Sequence, residues 1–201
     1  MRALPLIAVA LLAGGSFSAI TVQRAAPTAA VSAPQSRAAS PNSDALAQKD
    51  FKDRVDKYVE LHRRAEKNAP PLKETTDPNK IKTAEDTLAA TIRAERSTAQ
   101  PGDIFTPAIR DRFRRLLSPA LKGEDGRDAK QILKDDAPGG VPLKVNAKYP
   151  EGAPLPTVPA HLLANLPTLP KEVEYRIVGK HLILRDTSAD IIVDYIPNAI
   201  P

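Results

Sequence analysis

The chain has 201 residues, 42% of them hydrophobic, 26% charged and 4% aromatic, with no Trp and no Cys. That length covers one ordinary domain with accessory segments, and the lack of cysteine excludes disulfides, thiolate catalysis, cysteine zinc sites and cysteine lipidation. The formal charge of +5 overstates any folded part: Arg2, Arg24 and Arg37 precede the first acid, and removing them from 29 basic side chains leaves 26 against 24 acids, too even a balance for a nucleic-acid-binding face.

The N-terminus reads as a secretory signal peptide over residues 1–18. Met1 and Arg2 give a positive start, residues 3–13 are apolar, and Ser16 and Ser18 supply the small residues before a cleavage point after Ser18. The apolar run is too short to span a bilayer, which takes about 20 residues. No later segment approaches that length, so no transmembrane segment is expected after cleavage, and the mature protein is expected in the periplasm or secreted. Residues 19–42 are rich in Ala, Pro, Ser, Thr and Gln, without acids or apolar period. They read as a disordered tether, because such a composition buries too little surface to offset its ordering entropy.

Residues 43–201 are expected to form a single α+β domain. A first helix starts near Ser43 or Asp44 and ends near Asn68, before Pro70 and Pro71. Phe51, Val55, Tyr58, Val59 and His62 recur at helical spacing and share one face. A second helix opens on Asp77 and Pro78, an N-cap followed by proline at the first helical position. Ile81, Leu88 and Ile92, with Ala84 or Glu85, form its inner stripe. It ends before Pro101 and Gly102, which suit the centre of a type II turn. A third helix opens on Thr106 and Pro107 and carries Ile109, Phe113, Leu116, Leu117, Ala120 and Leu121 on one stripe. Pro119 is expected to kink its last turn or end it early. A short fourth helix is expected around residues 128–134.

Residues 141–149 alternate at Val141, Leu143 and Val145 and read as an edge strand. Prolines then keep the chain extended to Pro170, with one helical turn at residues 160–165. The last segment reads as a three-stranded antiparallel meander. A two-residue type II′ loop at Gly179 and Lys180 sets Val178 opposite His181, Ile177 opposite Leu182, Tyr175 opposite Leu184 and Glu174 opposite Arg185. Tyr175, Ile177, Leu182 and Leu184 then share a face expected to pack on the helices. Arg176, Val178, His181 and Ile183 share the other, mixed face, open to cover by the proline-rich segment or a partner.

Several stretches carry a resemblance: residues 102–107 (Gly-Asp-Ile-Phe-Thr-Pro), residues 145–150 (Val-Asn-Ala-Lys-Tyr-Pro), and Leu166 to Pro170 leading into Tyr175, Arg176, Gly179, Leu184, Arg185, Asp186, Ile192, Val193 and Asp194. Through them the chain resembles a group of uncharacterised exported bacterial proteins. The resemblance covers most of the chain after residue 50, implies export, and transfers no functional residue.

The chemistry-bearing residues are few. His62, His161 and His181 are the only imidazoles. His62 and Glu66 stand four apart, but a zinc site needs a third protein ligand and a supporting shell, so they read as a helical surface pair, and no metal or cofactor is expected. Residues 186–190 (Asp-Thr-Ser-Ala-Asp) lack the Gly and Glu of a calcium loop and read as a capped β-turn. Ser188, His181 and Asp186 or Asp190 can be written as a triad, without the strained elbow such a serine occupies. Asp103 reads as a turn residue. Arg110, Arg112, Arg114 and Arg115, with Arg63 and Arg64, offer a basic patch, interrupted by Asp111. The candidates are therefore His181 and Asp186 for catalysis, and Arg176, His181, Arg110 and Arg114 for binding. The leading expectation is a non-enzymatic binding module of the cell envelope, whose partner is an envelope protein or an anionic envelope polymer. The alternative is a small periplasmic hydrolase or lyase using carboxylates and His181.

Overall fold

Why the amphipathic stripes converge on the C-terminal strands is visible in the computed structural model, which describes residues 41–69, 75–122, 126–128, 130–131, 143–150, 155 and 158–200. Helices α1 (Pro41–Asn68), α2 (Pro78–Glu95) and α3 (Pro107–Ala120) are followed by the single turn α4 (Ala160–Leu163) and the strands β1 (Val173–Val178), β2 (His181–Asp186) and β3 (Ile192–Ile196). The strands form one antiparallel sheet in the order β1-β2-β3. The architecture is α+β, with N-terminal helices and a C-terminal β-meander. Among the described residues no helix is long and apolar enough to cross a membrane.

The helix starts follow local chemistry. Asp77 caps α2, its Oδ1 accepting from the Asn79 amide at 3.0 Å, with Pro78 at the first helical position. Helix α3 starts at Pro107, although the Thr106 side chain makes no capping bond, and it runs through Pro119 for one further residue. Helix α1 opens at Pro41, upstream of Ser43 and Asp44. Helical conformation at residues 126–128 and 130–131 lies where the short fourth helix is expected; residues 132–134 lie outside the described residues.

The hairpin register is the one the sequence implies, with Val178 opposite His181 and Glu174 opposite Arg185. Gly179 takes φ +58°, the left-handed region that a type II′ turn requires at its first central position. Arg185 Nη1 reaches Glu174 Oε1 across the strands at 2.7 Å. Strand β3 pairs Leu182 with Ile196 and Leu184 with Asp194, with an irregularity between the Leu184 and Arg185 pairings.

The inner face of the sheet packs on the helices. Tyr175, Ile177, Leu182, Leu184 and Ile196 join Phe51, Val55, Ile92, Phe105, Ile109, Phe113 and Leu117 in one core. Phe113 is its hub: its ring centroid lies 5.0 Å from Phe51, 5.4 Å from Phe105 and 6.0 Å from Tyr175. The outer face carries a smaller cluster, Tyr149, Val178, Ile183 and Ile192, covered by Leu143, Leu155 and Tyr195. The proline-rich segment thus contributes to covering the mixed face.

The edge strand expected over residues 141–149 does not form as a continuous strand in its described part, residues 143–149: it meets the start of β3 through an isolated bridge between Lys148 and Ile191 and through backbone bonds of Asn146, Ala147 and Tyr149. Asn146 adopts φ +65° and ends any extended run. Arg93 Nε donates to its carbonyl at 2.7 Å, Arg96 Nη1 to its Oδ1 at 3.0 Å, and its own Nδ2 donates to the Arg96 carbonyl at 2.8 Å. Asparagine tolerates that backbone region better than most residues. Val141 and Pro142 lie outside the described residues.

Candidate functional site

The inner face of the meander bears two buried carboxylates, and each fastens a distant part of the chain. Asp194, fully buried, lies beside the turn that leads into α3. Its Oδ2 accepts from the amides of Ile104 at 2.9 Å and Phe105 at 2.7 Å, and its Oδ1 from Tyr195 at 2.8 Å and Gly102 at 3.0 Å. Gly102 is needed there because it takes φ +101°, a backbone conformation that side chains disfavour.

Asp186 ends β2 and is also fully buried. Its Oδ1 accepts from the Ser188 amide at 2.9 Å and the Ala189 amide at 2.7 Å, closing the turn toward β3. Its Oδ2 accepts from Tyr58 Oη at 2.7 Å and meets His62 Nδ1 at 2.6 Å, both on α1. Burial alone would raise the Asp186 carboxyl. The bonds from His62, Tyr58 and the Ala189 amide outweigh it and hold the group below its ordinary value. For His62, burial works against the imidazolium, but the bond and charge of Asp186, with the charges of Glu66 and Glu172, hold it above its ordinary value. An ionised Asp186 fixes the proton of a neutral His62 on Nδ1 and leaves Nε2 as an acceptor.

The reading of His62 and Glu66 as a surface pair is corrected by this geometry. His62 is 1% exposed, because the helical stripe that begins at Phe51 carries it inward to Asp186. The signal for burial was its place on that stripe. The signal for its partner was absent, since 124 residues separate the two.

His62 lines a cleft of about 500 Å³ together with Arg63, Glu66, Lys67, Lys171, Glu172, Thr187 and Ser188. Glu172 is 6% exposed. Its Oε1 accepts two bonds from Arg63, at 3.0 and 2.9 Å, while its Oε2 is buried with no partner among the described residues. Burial raises the Glu172 carboxyl, but the Arg63 bond leads the effects that bring it below its ordinary value.

A larger cleft of about 760 Å³ lies between α2 and the outer face of the sheet, lined by residues that include Ile81, Glu85, Lys148, Tyr149, Leu155, Arg185 and Asp190. Most of its charged groups are matched in place. Arg185 binds Glu174 and Asp190, at 2.7 and 2.6 Å, and Lys148 binds Asp86 at 2.5 Å.

The sequence candidates are dispersed. His181 and Asp186 stand at opposite ends of β2, and His181 Nδ1 accepts from the Asn198 amide at 3.3 Å. Arg176 binds Glu174 Oε2 at 2.7 Å. Arg110 Nε donates to the Phe105 carbonyl at 2.7 Å, and Arg114 reaches Asp111 and the Pro197 carbonyl, at 3.3 and 3.0 Å. Arg112 and Arg115 both meet Asp44, at 3.3 and 2.5 Å. The arginines of α3 are thus engaged within the fold. Among the described residues no group of three or more His, Cys, Asp or Glu is placed to hold a metal ion. Comparison of the chain with family models, with curated proteins and with solved structures finds no match.

Proposed function

We propose that the protein is a non-enzymatic binding module of the bacterial cell envelope, exported by its N-terminal signal, and that it holds its ligand in the cleft at the C-terminal end of α1. One observation carries this reading: the oxygens of Asp186 and Asp194 are all occupied by donors from within the chain. Neither carboxylate is left to move a proton for a substrate. The cleft offers recognition groups instead. Lys67 and Lys171 make no ion pair or hydrogen bond with another side chain among the described residues, and they rim a concave space within the range of about 300–1,000 Å³ usual for ligand sites. The test incubates the purified protein with fractionated envelope polymers and, separately, with a panel of ester, amide and glycoside substrates. Saturable binding without turnover is expected. Turnover that disappears in His62→Gln would overturn the reading.

A second reading, a hydrolase, has one observation in its favour. The His62–Asp186 pair has the orientation of a general base and its carboxylate, and Ser188 lines the same cleft. Here His62 takes the place expected for His181. Against it, no hydrogen bond joins the Ser188 hydroxyl to His62 among the described residues. The amides of Ser188 and Ala189, which flank the serine oxygen, are turned onto Asp186 and stabilise no oxyanion. Labelling of Ser188 by a fluorophosphonate would favour this reading; an unlabelled protein rejects it.

A further inference from the structure

We propose that the cleft at the end of α1 recognises a hydroxylated carboxylate, the chemistry of a sugar acid, and holds it more tightly when His62 is protonated. The proposal rests on the binding-module reading and names the ligand class. Its first support is the balance of charge around the cleft. Arg63 and Glu172 neutralise each other at 2.9 Å. That leaves Lys67 and Lys171 against Glu66 on the walls and Asp186 behind His62, so protonation of His62 gives the excess of cation that favours an anionic ligand.

The second support is two polar groups on the cleft with opposite needs, the His62 ring and the buried Glu172 Oε2. His62 is 1% exposed, its Nδ1 is committed to Asp186, and its ring lines the cleft. Nε2 has no protein partner among the described residues, so a proton there becomes a donor for a ligand carboxylate. Glu172 Oε2 is buried without a partner and, as an ionised carboxylate oxygen, it only accepts. An unfilled buried acceptor costs about 1–3 kcal/mol, and a ligand hydroxyl fills it. A simple carboxylate lacks that hydroxyl. A neutral polyol lacks the charge that the two lysines and the imidazolium attract. A sugar acid carries both groups.

The charged groups facing His62 come from three elements. Asp186 approaches from β2, Glu66, Arg63 and Lys67 lie along α1 itself, and Lys171 and Glu172 stand in the segment before β1. Arg96, after α2, stacks on Tyr58 with its guanidinium 5.0 Å from the ring centroid, and its charge also acts on Asp186. Linkage makes the effect reciprocal: an anion that binds the protonated cleft more tightly strengthens proton binding at His62 by the same factor.

The test titrates the full-length chain with sodium glucuronate and follows the His62 ring protons by NMR. Binding is expected to be about tenfold tighter at about pH 5.5 than at about pH 8.5, because imidazole changes charge across that interval. Glucose and acetate should each bind at least about tenfold more weakly than glucuronate, the step that one lost contact of about 1.4 kcal/mol makes. Lys67→Gln and Lys171→Gln keep the fold, since neither lysine is buried in the core, and each should weaken binding several-fold. Lys49→Gln, on the exposed face of α1, should leave it unchanged. A His62 resonance that glucuronate does not move at either pH would overturn the proposal, as would equal affinity for acetate or equal affinity at the two pH values. If glucuronate fails and no substrate turns over, the ligand class falls and the binding-module reading stands.

Discussion

Two aspartates on one small sheet do different work, and substitution separates them. Asp194 accepts main-chain amides from the turn before α3, so Asp194→Asn turns an amide NH₂ toward donors. A cost of about 2–4 kcal/mol is expected from several charge-assisted bonds lost in a buried place, read from the midpoint of urea unfolding. Asp186 faces a titrating partner and gives a pH dependence. His62 is held above its ordinary value of 6.5, so its contribution is complete below that pH and is lost as pH rises through the raised value. Asp186 is held below its ordinary value of 3.8, so its contribution is present above that pH and is lost as pH falls through the lowered value. The pair is strongest in the mildly acidic window between. Unfolding measured across pH should show stability falling on the alkaline side of this window, and His62→Gln should flatten that fall. The pairing itself was not legible in the sequence. His62 was placed on the correct stripe, but a stripe gives a direction and not a partner, and the partner lies across the whole fold.

At the scale of elements, the hairpin was legible because three signals agreed: alternation in both strands, an opposite-charge pair at Glu174 and Arg185, and a glycine where a type II′ loop needs one. Glycine tests that agreement. Gly179 has φ +58° with nothing within 4 Å of an added Cβ. Gly179→Ala should therefore cost only the backbone strain, about 1–2 kcal/mol. Gly102 at φ +101° lies further from any conformation open to alanine, so the melting temperature of Gly102→Ala should fall further, while the Arg110 side chain can move aside. Residues 143–149 failed as a strand for a reason that alternation does not encode. Arg93 and Arg96 at the end of α2 hold Asn146 in the left-handed region, a tertiary grip that overrides the local pattern. Helix α3 continued past Pro119 for only one residue, because proline removes an amide donor near the place where the helix was ending.

At the scale of the whole molecule, the core is one aromatic junction with helices on one side and strands on the other. Phe113→Ala should cost about 3–5 kcal/mol, since its ring touches Phe51, Phe105 and Tyr175 and so joins α1, the turn before α3, and β1. Loss of near-UV circular dichroism at lower denaturant would register it. The apolar periods revealed Phe51, Phe113 and Tyr175 in advance, because large side chains at helical or alternating spacing have one place to go; Phe105, in the turn before α3, lies on no such period. The cleft at the end of α1 was invisible by comparison, since its walls come from residues 62–67, 171–172 and 187–188, three short pieces with no shared pattern. The two aspartate latches have a further consequence for the order in which the chain becomes native. Their bonds to the helical half span 128 and 124 residues for Asp186, and 89 to 92 for Asp194. Ribosomes deliver residues N-terminal first, so α1 and the turn before α3 emerge long before the groups that fasten them. Contacts so distant in sequence form slowly. A nascent chain short of residue 186 lacks both fastenings, and one short of residue 194 still lacks the hold on the turn before α3, so the helical half is secured last.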